Sequence, residues 1–302
     1  MSRHFVTVSE NGATGLLMRI SDFYQLTKPN VTFMVVLTAL AGLYLGARGP
    51  LDLVLVLETL IGTALIAGGA SALNMLIECE MDARMKRTNK RPLPNERIGR
   101  SEALVFSVVI SLAGVGILTF LVNPLTGLLA AITLISYVFL YTPLKRKTTL
   151  ATLVGAVPGA LPPVGGWTAV RGEITIEAVV LFAILFFWQI PHFLAIAWLY
   201  KEDYRRGGFL VLPHVDPNGG STARQIIGNT LSLLTISLMP TLLGLTGSVY
   251  FYGALVLGMG FLYTGVRVAM LRTSKSARKL LLFSVFYLPV LLALMTWDKT
   301  PF

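Results

Sequence analysis

SALNMLIECEMDARMKRTNKRPLP, residues 71–94, opens in an apolar run and closes in a basic one, with Asn74, Glu78 and Asp82 spaced four apart between them. At about 100° per residue, steps of four drift only about 40° each, so this spacing predicts three polar side chains on one helix face. The first falls within hydrocarbon and the last at its edge. Polar groups at membrane depth are costly and mark function. Few carboxylates with substrate oxygens completing the shell suit Mg²⁺, and arginines suit a phosphate. The row therefore reads as a site for a divalent cation and a polyanion.

Working outward, the 302-residue chain is 54% hydrophobic and 13% charged, with a mean hydropathy of +0.71. Long apolar runs carry that excess, which indicates an all-α polytopic membrane protein. The net charge of +10 is read as topology and not as nucleic-acid binding. The single cysteine, Cys79, excludes an internal disulfide framework and a thiolate metal cluster. Residues 1–20 lack the plan of a signal peptide. LLMRISDFYQL, residues 16–26, reads as an amphipathic surface helix, with a disordered N-terminal tail over 1–20 as the alternative; the remainder of 1–302 is expected to be one domain.

Nine apolar segments of spanning length can be placed, at about 29–47, 52–78, 102–122, 125–142, 149–170, 176–200, 223–246, 248–272 and 279–297. The fifth is weak because Pro158, Pro162 and Pro163 interrupt it. Pro29 suits a first helical turn, and Thr222 with Gln225 reads as a capping box. With nine spans, all of the 25 Lys and Arg except Arg48, Arg171 and Lys299 fall on one side, together with the N-terminus. Misplacing one span would scramble that division, so the charge pattern supports nine spans with a cytoplasmic N-terminus. Residues 74–94 and 192–213 each pair a span end with acidic and basic residues, an echo that hints at two related halves.

Three constellations carry chemistry. In the first, Glu78, Glu80 and Asp82 supply carboxylates, Asn74 an amide, and Arg84, Lys86, Arg87, Lys90 and Arg91 positive charge; for the basic residues, a solvated positive-inside loop is an equal reading. The second is WQIPHFLAIAWLYKEDYRRGGFLVLP, residues 188–213, where Gln189 and His192 lie in an apolar span whose end carries Lys201, Glu202, Asp203, Arg205 and Arg206. Asp203 can bind metal and Lys201 a phosphate. His192 can ligate iron, take a proton, hold a carboxylate or simply pack, whereas His4 and His214 read as bland. The third, residues 137–167, adds Lys145, Arg146 and Lys147, then glycines, prolines and Trp167 for close packing; Tyr137 and Tyr141 read first as interfacial belt residues. HExxH, paired CxxC and P-loop patterns are absent.

These residues resemble the UbiA superfamily of intramembrane prenyltransferases, and within it the branch that farnesylates heme. The markers are LTKP (26–29), the Asn74–Glu78–Asp82 row with MKRT and NKRPLP, YTPLKR (141–146), GAVPGALPPVGGW (155–167) and WQIPHF…YKEDY…GG…LP (188–213). The resemblance implies nine helices around a lateral cavity, with Mg²⁺ held by Asn74, Glu78, Asp82 and Asp203 and bridged to farnesyl diphosphate. It implies diphosphate binding by Arg87, Arg91, Lys145 and Lys201, and a heme-facing or proton-handling role for His192. The implied reaction joins farnesyl to a vinyl group of heme B and adds water, giving heme O. The setting it implies is a bacterial or archaeal cell membrane, with a mitochondrial inner membrane second. The implied partners are membrane lipid and, downstream, a heme A synthase or terminal-oxidase assembly machinery.

The pattern is departed from in places. Glu78 stands where the family usually has Asp, its extra methylene adding about 1.5 Å of reach. Asn30 follows Lys28-Pro29 where a basic residue is expected, and Leu199 lies four residues before Asp203 where other members carry a second aspartate. Rival readings are a UbiA-type enzyme acting on an aromatic quinone precursor or a chlorophyllide, a transporter with midplane polar residues, and a non-catalytic heme-binding assembly factor.

Overall fold

The computed structural model describes residues 7–301, with side chains from residue 15 onward; His4 lies outside them. Among the described residues, nine helices are long and apolar enough to cross a membrane. In chain order the helices are α1 (Thr7–Leu26), α2 (Pro29–Gly46), α3 (Leu53–Ile77), the short α4 (Cys79–Arg84), α5 (Arg100–Val122) and α6 (Pro124–Leu144). There follow α7 (Ala151–Arg171), α8 (Ile176–Leu199), the short α9 (Lys201–Gly207) and α10 (Leu212–Val215), then α11 (Gly220–Leu242), α12 (Ser248–Leu271) and α13 (Ser274–Trp297). Helix satisfies backbone N–H and C=O within each segment, which hydrocarbon requires.

Two spans depart furthest from the sequence-based limits. The expected Thr222–Gln225 capping box does not start α11. Instead Thr222 lies inside the helix and donates its N–H (2.7 Å) and hydroxyl (3.0 Å) to the Asp216 carboxylate, after Gly219 turns through φ 66°. Burial opposes ionisation of Asp216, but the donors at the helix start outweigh it and hold its pKa below 3.8. That stabilisation is therefore fully present above pH 3.8 and is lost as acid protonates the carboxylate. Helix α13 starts five residues earlier than 279, at a Thr273 cap whose Oγ1 accepts from Ser276 N–H (3.2 Å). Lys275, Arg278 and Lys279 thus sit in its first turns, and not in a loop.

The proline-rich fifth span, α7, is the most buried of the nine. It bends at Leu161, between Pro158 and Pro162, and its glycines let α2 approach backbone to backbone. A Cβ at Gly166 would stand 1.9 Å from the Ala39 carbonyl oxygen, and one at Gly42 would stand 2.0 Å from that of Pro163. Trp167 is fully buried beside this seam, in a core that also takes in Leu181, Ile184, Tyr250, Phe261 and Tyr287. The outer surface is apolar and exposed, as at Phe120, Phe139 and Met270. Helix α13 returns to α2, and beyond it Lys299 Nζ donates to the carbonyls of Tyr44 (2.7 Å) and Ala47 (2.6 Å).

The segment 16–26 is helical, as the second part of α1. Leu16, Leu17, Ile20 and Tyr24 are exposed, while Asp22 pairs with Arg97 (2.8 Å) and Phe23 meets the Phe106 ring (5.0 Å). At the same basic end of the bundle, α3 passes into α4 and α8 into α9, and α4 packs on α9. The two halves meet there.

Gly166→Val should lower the thermal midpoint in detergent by the equivalent of roughly 1–3 kcal/mol or more, because an overpacked seam cannot relax past backbone. Gly165→Val, where a Cβ meets nothing within 4 Å, should leave the midpoint nearly unchanged. Equal effects of the two substitutions would remove the close-packing account.

Candidate active site

The row at Asn74, Glu78 and Asp82 does not lie on one straight helix. Glu78 leaves helical geometry at φ −91°, ψ 7° and separates α3 from α4. Backbone bonds still carry across it, from Glu78 N–H to Asn74 O (3.0 Å) and from Asp82 N–H to Glu78 O (2.8 Å). The three side chains therefore stay together, and all are buried. Tyr200 makes the equivalent break, at φ −113°, ψ 23°, between α8 and α9, and three residues later Asp203 is buried too. Glu80 points elsewhere: it is exposed and meets exposed Arg100 (3.4 Å).

Each buried carboxylate carries a cation. Glu78 Oε1 accepts from Lys145 Nζ (2.6 Å) and Asp82 Oδ2 from Arg91 Nη1 (2.6 Å). Asp203 accepts from the Arg206 guanidinium and, at 3.4 Å, from the backbone N–H of Lys86, which joins the two halves. Burial raises the pKa of Asp203, but Arg206 and the N–H groups of Lys86 and Arg87 outweigh it and hold the group lowered. Burial likewise pulls Lys145 down, and Glu78 more than offsets it, so the ammonium is held with a raised pKa. Removing a partner from such a pair leaves an uncompensated buried charge.

Four residues that pattern reasoning did not assign complete the site. Lys28 donates to Asn74 Oδ1 (2.8 Å). It caps α2 in the left-handed region, at φ 48°, ψ 64°, a strained setting for a non-glycine residue. Burial, then the charges of Arg91 and Lys145, push its pKa down to about 7. Thr142 Oγ1 accepts from Asn74 Nδ2 (3.1 Å), and its own hydroxyl donates to Tyr137 O; it ends a π turn, Ser136–Tyr141, that widens α6 at this point. Tyr141 is not a belt residue: Lys145 Nζ sits 4.5 Å above its ring, and Tyr137 contacts that ring at 5.2 Å. Arg206 is the fourth. The signal for Lys28 lay in the LTKP stretch immediately before the first span, and nothing there named Asn74 as its partner.

Arg87 reaches across the halves. It lies over the rings of Tyr200 (5.2 Å) and Tyr204 (5.6 Å), and Nη2 donates to the Tyr204 hydroxyl (3.3 Å). Lys201 is exposed and takes part in none of these contacts. His192 is half-buried within the span, with Nδ1 2.7 Å from Ser284 Oγ and its ring stacked on Trp188 at 4.9 Å. Gln189 is knitted to Leu185 O (3.1 Å) and Ala156 O (3.4 Å).

Among the described residues, no three His, Cys, Asp or Glu side chains converge closely enough to hold a metal ion by themselves. The donor chemistry nevertheless suits a hard divalent cation: buried carboxylate and amide oxygens, too few for a full cage, in a basic surround that suits phosphate. Such a site fits a cation that brings part of its shell with a phosphorylated substrate.

A model of the UbiA prenyltransferase family matches residues 35–288. The chain is 49% identical over 287 residues to the protoheme IX farnesyltransferase of Solibacter usitatus, covering 92% of this chain and 98% of that protein. Its fold is similar to a solved structure of digeranylgeranylglyceryl phosphate synthase, with a TM-score of 0.79, 15% identity, and coverage of 93% of this chain and 98% of that one. It is also similar to a UbiA homologue from Archaeoglobus fulgidus bound to GPP and Mg²⁺, with a TM-score of 0.64, 13% identity, and coverage of 91% and 99%.

Lys145→Met and Glu78→Gln should each destabilise the protein by roughly 3 kcal/mol, read as a lower unfolding midpoint, because each strands a buried charge. The double variant should recover most of that loss. Additive losses would mean that the pair is not energetically coupled.

Proposed function

The chain belongs to the UbiA prenyltransferase family, and we propose that its buried carboxylate row and the cations around it carry out farnesyl transfer to heme. The enzyme is an intramembrane prenyltransferase: it joins the farnesyl group of farnesyl diphosphate to a vinyl group of heme B, with addition of water and release of diphosphate, giving heme O. The observation that supports the residue assignment is the burial of Asn74, Glu78, Asp82 and Asp203 at the basic end of the bundle, with Lys28 on Asn74, Lys145 on Glu78, Arg91 on Asp82 and Arg206 on Asp203.

Asn74, Glu78, Asp82 and Asp203 would hold Mg²⁺, which supplies positive charge to the departing diphosphate. Lys145 and Arg91, here paired to Glu78 and Asp82, exchange those carboxylates for diphosphate oxygens, so charge is balanced before and after. Arg87, between the halves, is placed to add a bidentate contact, and Lys201 contributes from the exposed start of α9. The farnesyl C1–O bond breaks with its electron pair leaving on diphosphate. The terminal vinyl carbon of heme then bonds to C1, and the cation left beside the porphyrin takes water and loses a proton. Aromatic faces such as Tyr141 and Tyr137 stabilise positive charge near the scissile bond, and apolar surroundings delay water until the carbon–carbon bond has formed. We assign His192 a heme-facing or proton-handling role.

The basic end is assigned to the cytoplasmic side of a bacterial membrane, with the N-terminus, on the weight of Lys and Arg there. A heme A synthase or terminal-oxidase assembly machinery is the proposed consumer of the product.

Membranes containing the protein, supplied with heme B, farnesyl diphosphate and Mg²⁺, should form heme O, detected by mass. Asp82→Ala should reduce turnover by at least about 100-fold, whereas Glu78→Asp should retain it; a silent Asp82→Ala would sink the metal assignment. The exchange of partners also makes binding cooperative. A non-reactive farnesyl diphosphate analogue should bind at least about tenfold tighter with Mg²⁺ than without, a coupling of about 1.4 kcal/mol, and independent binding would refute the exchange.

A further inference from the structure

By the nine-span topology, Arg48, Arg171 and Lys299 stand opposite the basic end, and the diphosphate chemistry uses none of them. Basic residues are held to one side of a membrane protein, so chance exceptions on the other side have no reason to gather. The fold nevertheless brings these three together. Arg48 comes from the turn between α2 and α3, Arg171 from the last turn of α7, and Lys299 from the segment beyond α13. Arg48 and Arg171 line an open cavity of about 270 Å³. Arg48 and Lys299 line a second, of about 260 Å³, that adjoins the first and shares Ala47, Gly49 and Leu51 with it. The first cavity opens at the end of the close-packed α2–α7 seam, where a Cβ at Gly46 would stand 2.8 Å from Val170 Cγ2.

Two of the cations are positioned by rings and backbone. Lys299 Nζ, bonded to the Tyr44 and Ala47 carbonyls, lies 4.9 Å from the centre of the Tyr44 ring. The Arg171 guanidinium lies 5.4 Å from that of Trp167. The tail that carries Lys299 is itself fixed, because Gly247 N–H donates to Asp298 O (2.9 Å) and Thr300 N–H to Leu245 O (3.1 Å). Acidic residues on this face have other work. Asp52 also lines the first cavity, but its Oδ1 accepts from Val54 N–H (2.9 Å) and caps α3. Asp298 accepts from Tyr250 N–H (2.7 Å), and Glu173 and Glu177 line neither cavity. Positive charge is thereby concentrated at one point, and guanidinium groups match phosphate oxygens. Beside it the first turns of α3 leave Leu53, Val54 and Leu57 exposed, an apolar path leading from the cavity into lipid. We propose that the adjoining cavities bind the phosphate of an anionic phospholipid in the leaflet opposite the diphosphate end, with Arg48, Arg171 and Lys299 as its cationic partners and the start of α3 as the track for its acyl chains. A headgroup bearing an amine would bring like charge to the three cations, which favours a glycerol-type headgroup. The bound lipid clasps three segments far apart in the chain at the outer end of the seam.

The test uses the full chain in phosphatidylcholine nanodiscs with a small fraction of phosphatidylglycerol, read by native mass spectrometry of the retained lipid and by the thermal midpoint. The wild-type protein should retain phosphatidylglycerol in preference to phosphatidylcholine, and its midpoint should rise when phosphatidylglycerol is added. Arg48→Gln should weaken that preference about fivefold, and adding Arg171→Gln about fivefold again, at the usual worth of one basic residue beside an anionic lipid. Arg48→Lys should keep most of it. In phosphatidylcholine alone, Arg48→Gln should match the wild-type midpoint, which shows that it is folded. Lys275→Gln with Lys279→Gln, at the basic end, should keep the wild-type preference and the wild-type rise. An unchanged preference in the double arginine variant overturns the proposal, and so does an equal loss in the basic-end variant, since that pattern belongs to diffuse attraction. A midpoint raised as much by millimolar inorganic phosphate without phosphatidylglycerol overturns the lipid as the source of the phosphate.

Discussion

Glu78, Asp82 and Asp203 are buried at the basic end of the bundle, and each has to be matched by a cation. This constraint organises the basic end of the molecule. Lys145 comes from the segment after α6, Arg91 from the loop after α4 and Arg206 from one turn beyond Asp203 on α9, while Lys28, from the junction before α2, reaches the Asn74 amide. A buried charge without a partner costs several kcal/mol, and a matched pair costs far less. The Lys145–Glu78 and Lys28–Asn74 contacts pin distant segments together at this end of the fold. The Lys86 N–H on Asp203 and Arg87 over Tyr200 and Tyr204 extend that pinning across the two halves.

The rest of the scaffold serves the same end. Breaks at Glu78 and Tyr200 end two long helices and start the short ones that carry Asp82 and Asp203. The π turn in α6 brings Thr142 to Asn74 and Tyr141 under Lys145. At the α2–α7 seam, backbone contact at Gly42 and Gly166 takes the place of side-chain packing, which makes the most proline-broken span the most buried one. Helices in lipid associate through such small residues, because apolar side chains gain little by leaving equally apolar lipid.

Much of this was legible in the residues. Nine spans followed from apolar length and from the lopsided charge, because both depend on properties that each residue carries with it. Asn74, Glu78, Asp82 and Asp203 stood out because polarity at membrane depth is expensive wherever the chain goes next. The pairings were not legible. Nothing near Glu78 in sequence names Lys145, 67 residues away, and Lys28 sits beside a span boundary where a lysine is ordinary. The helix break at Glu78 also escaped periodicity, since a single residue out of helical geometry leaves the spacing of four intact. The early start of α13 was hidden because its first turns are basic, and Asp216, the true cap of α11, lies four residues before the helix.

The bond between His192 on α8 and Ser284 on α13 bears on how the protein is made. Ninety-two residues separate the partners, and Lys299 reaches back to Ala47 across 252. Neither contact can form until the last span has entered the bilayer, and loops that long close only after their intervening segments are in place. A nascent chain of eight spans already contains Glu78, Asp82 and Asp203 with Lys145, Arg91 and Arg206, yet it lacks the Ser284 that meets the His192 ring. The ion pairs of the basic end are therefore available to form before the last span closes the bundle, and closure of the apolar layer around His192 comes last in biosynthesis.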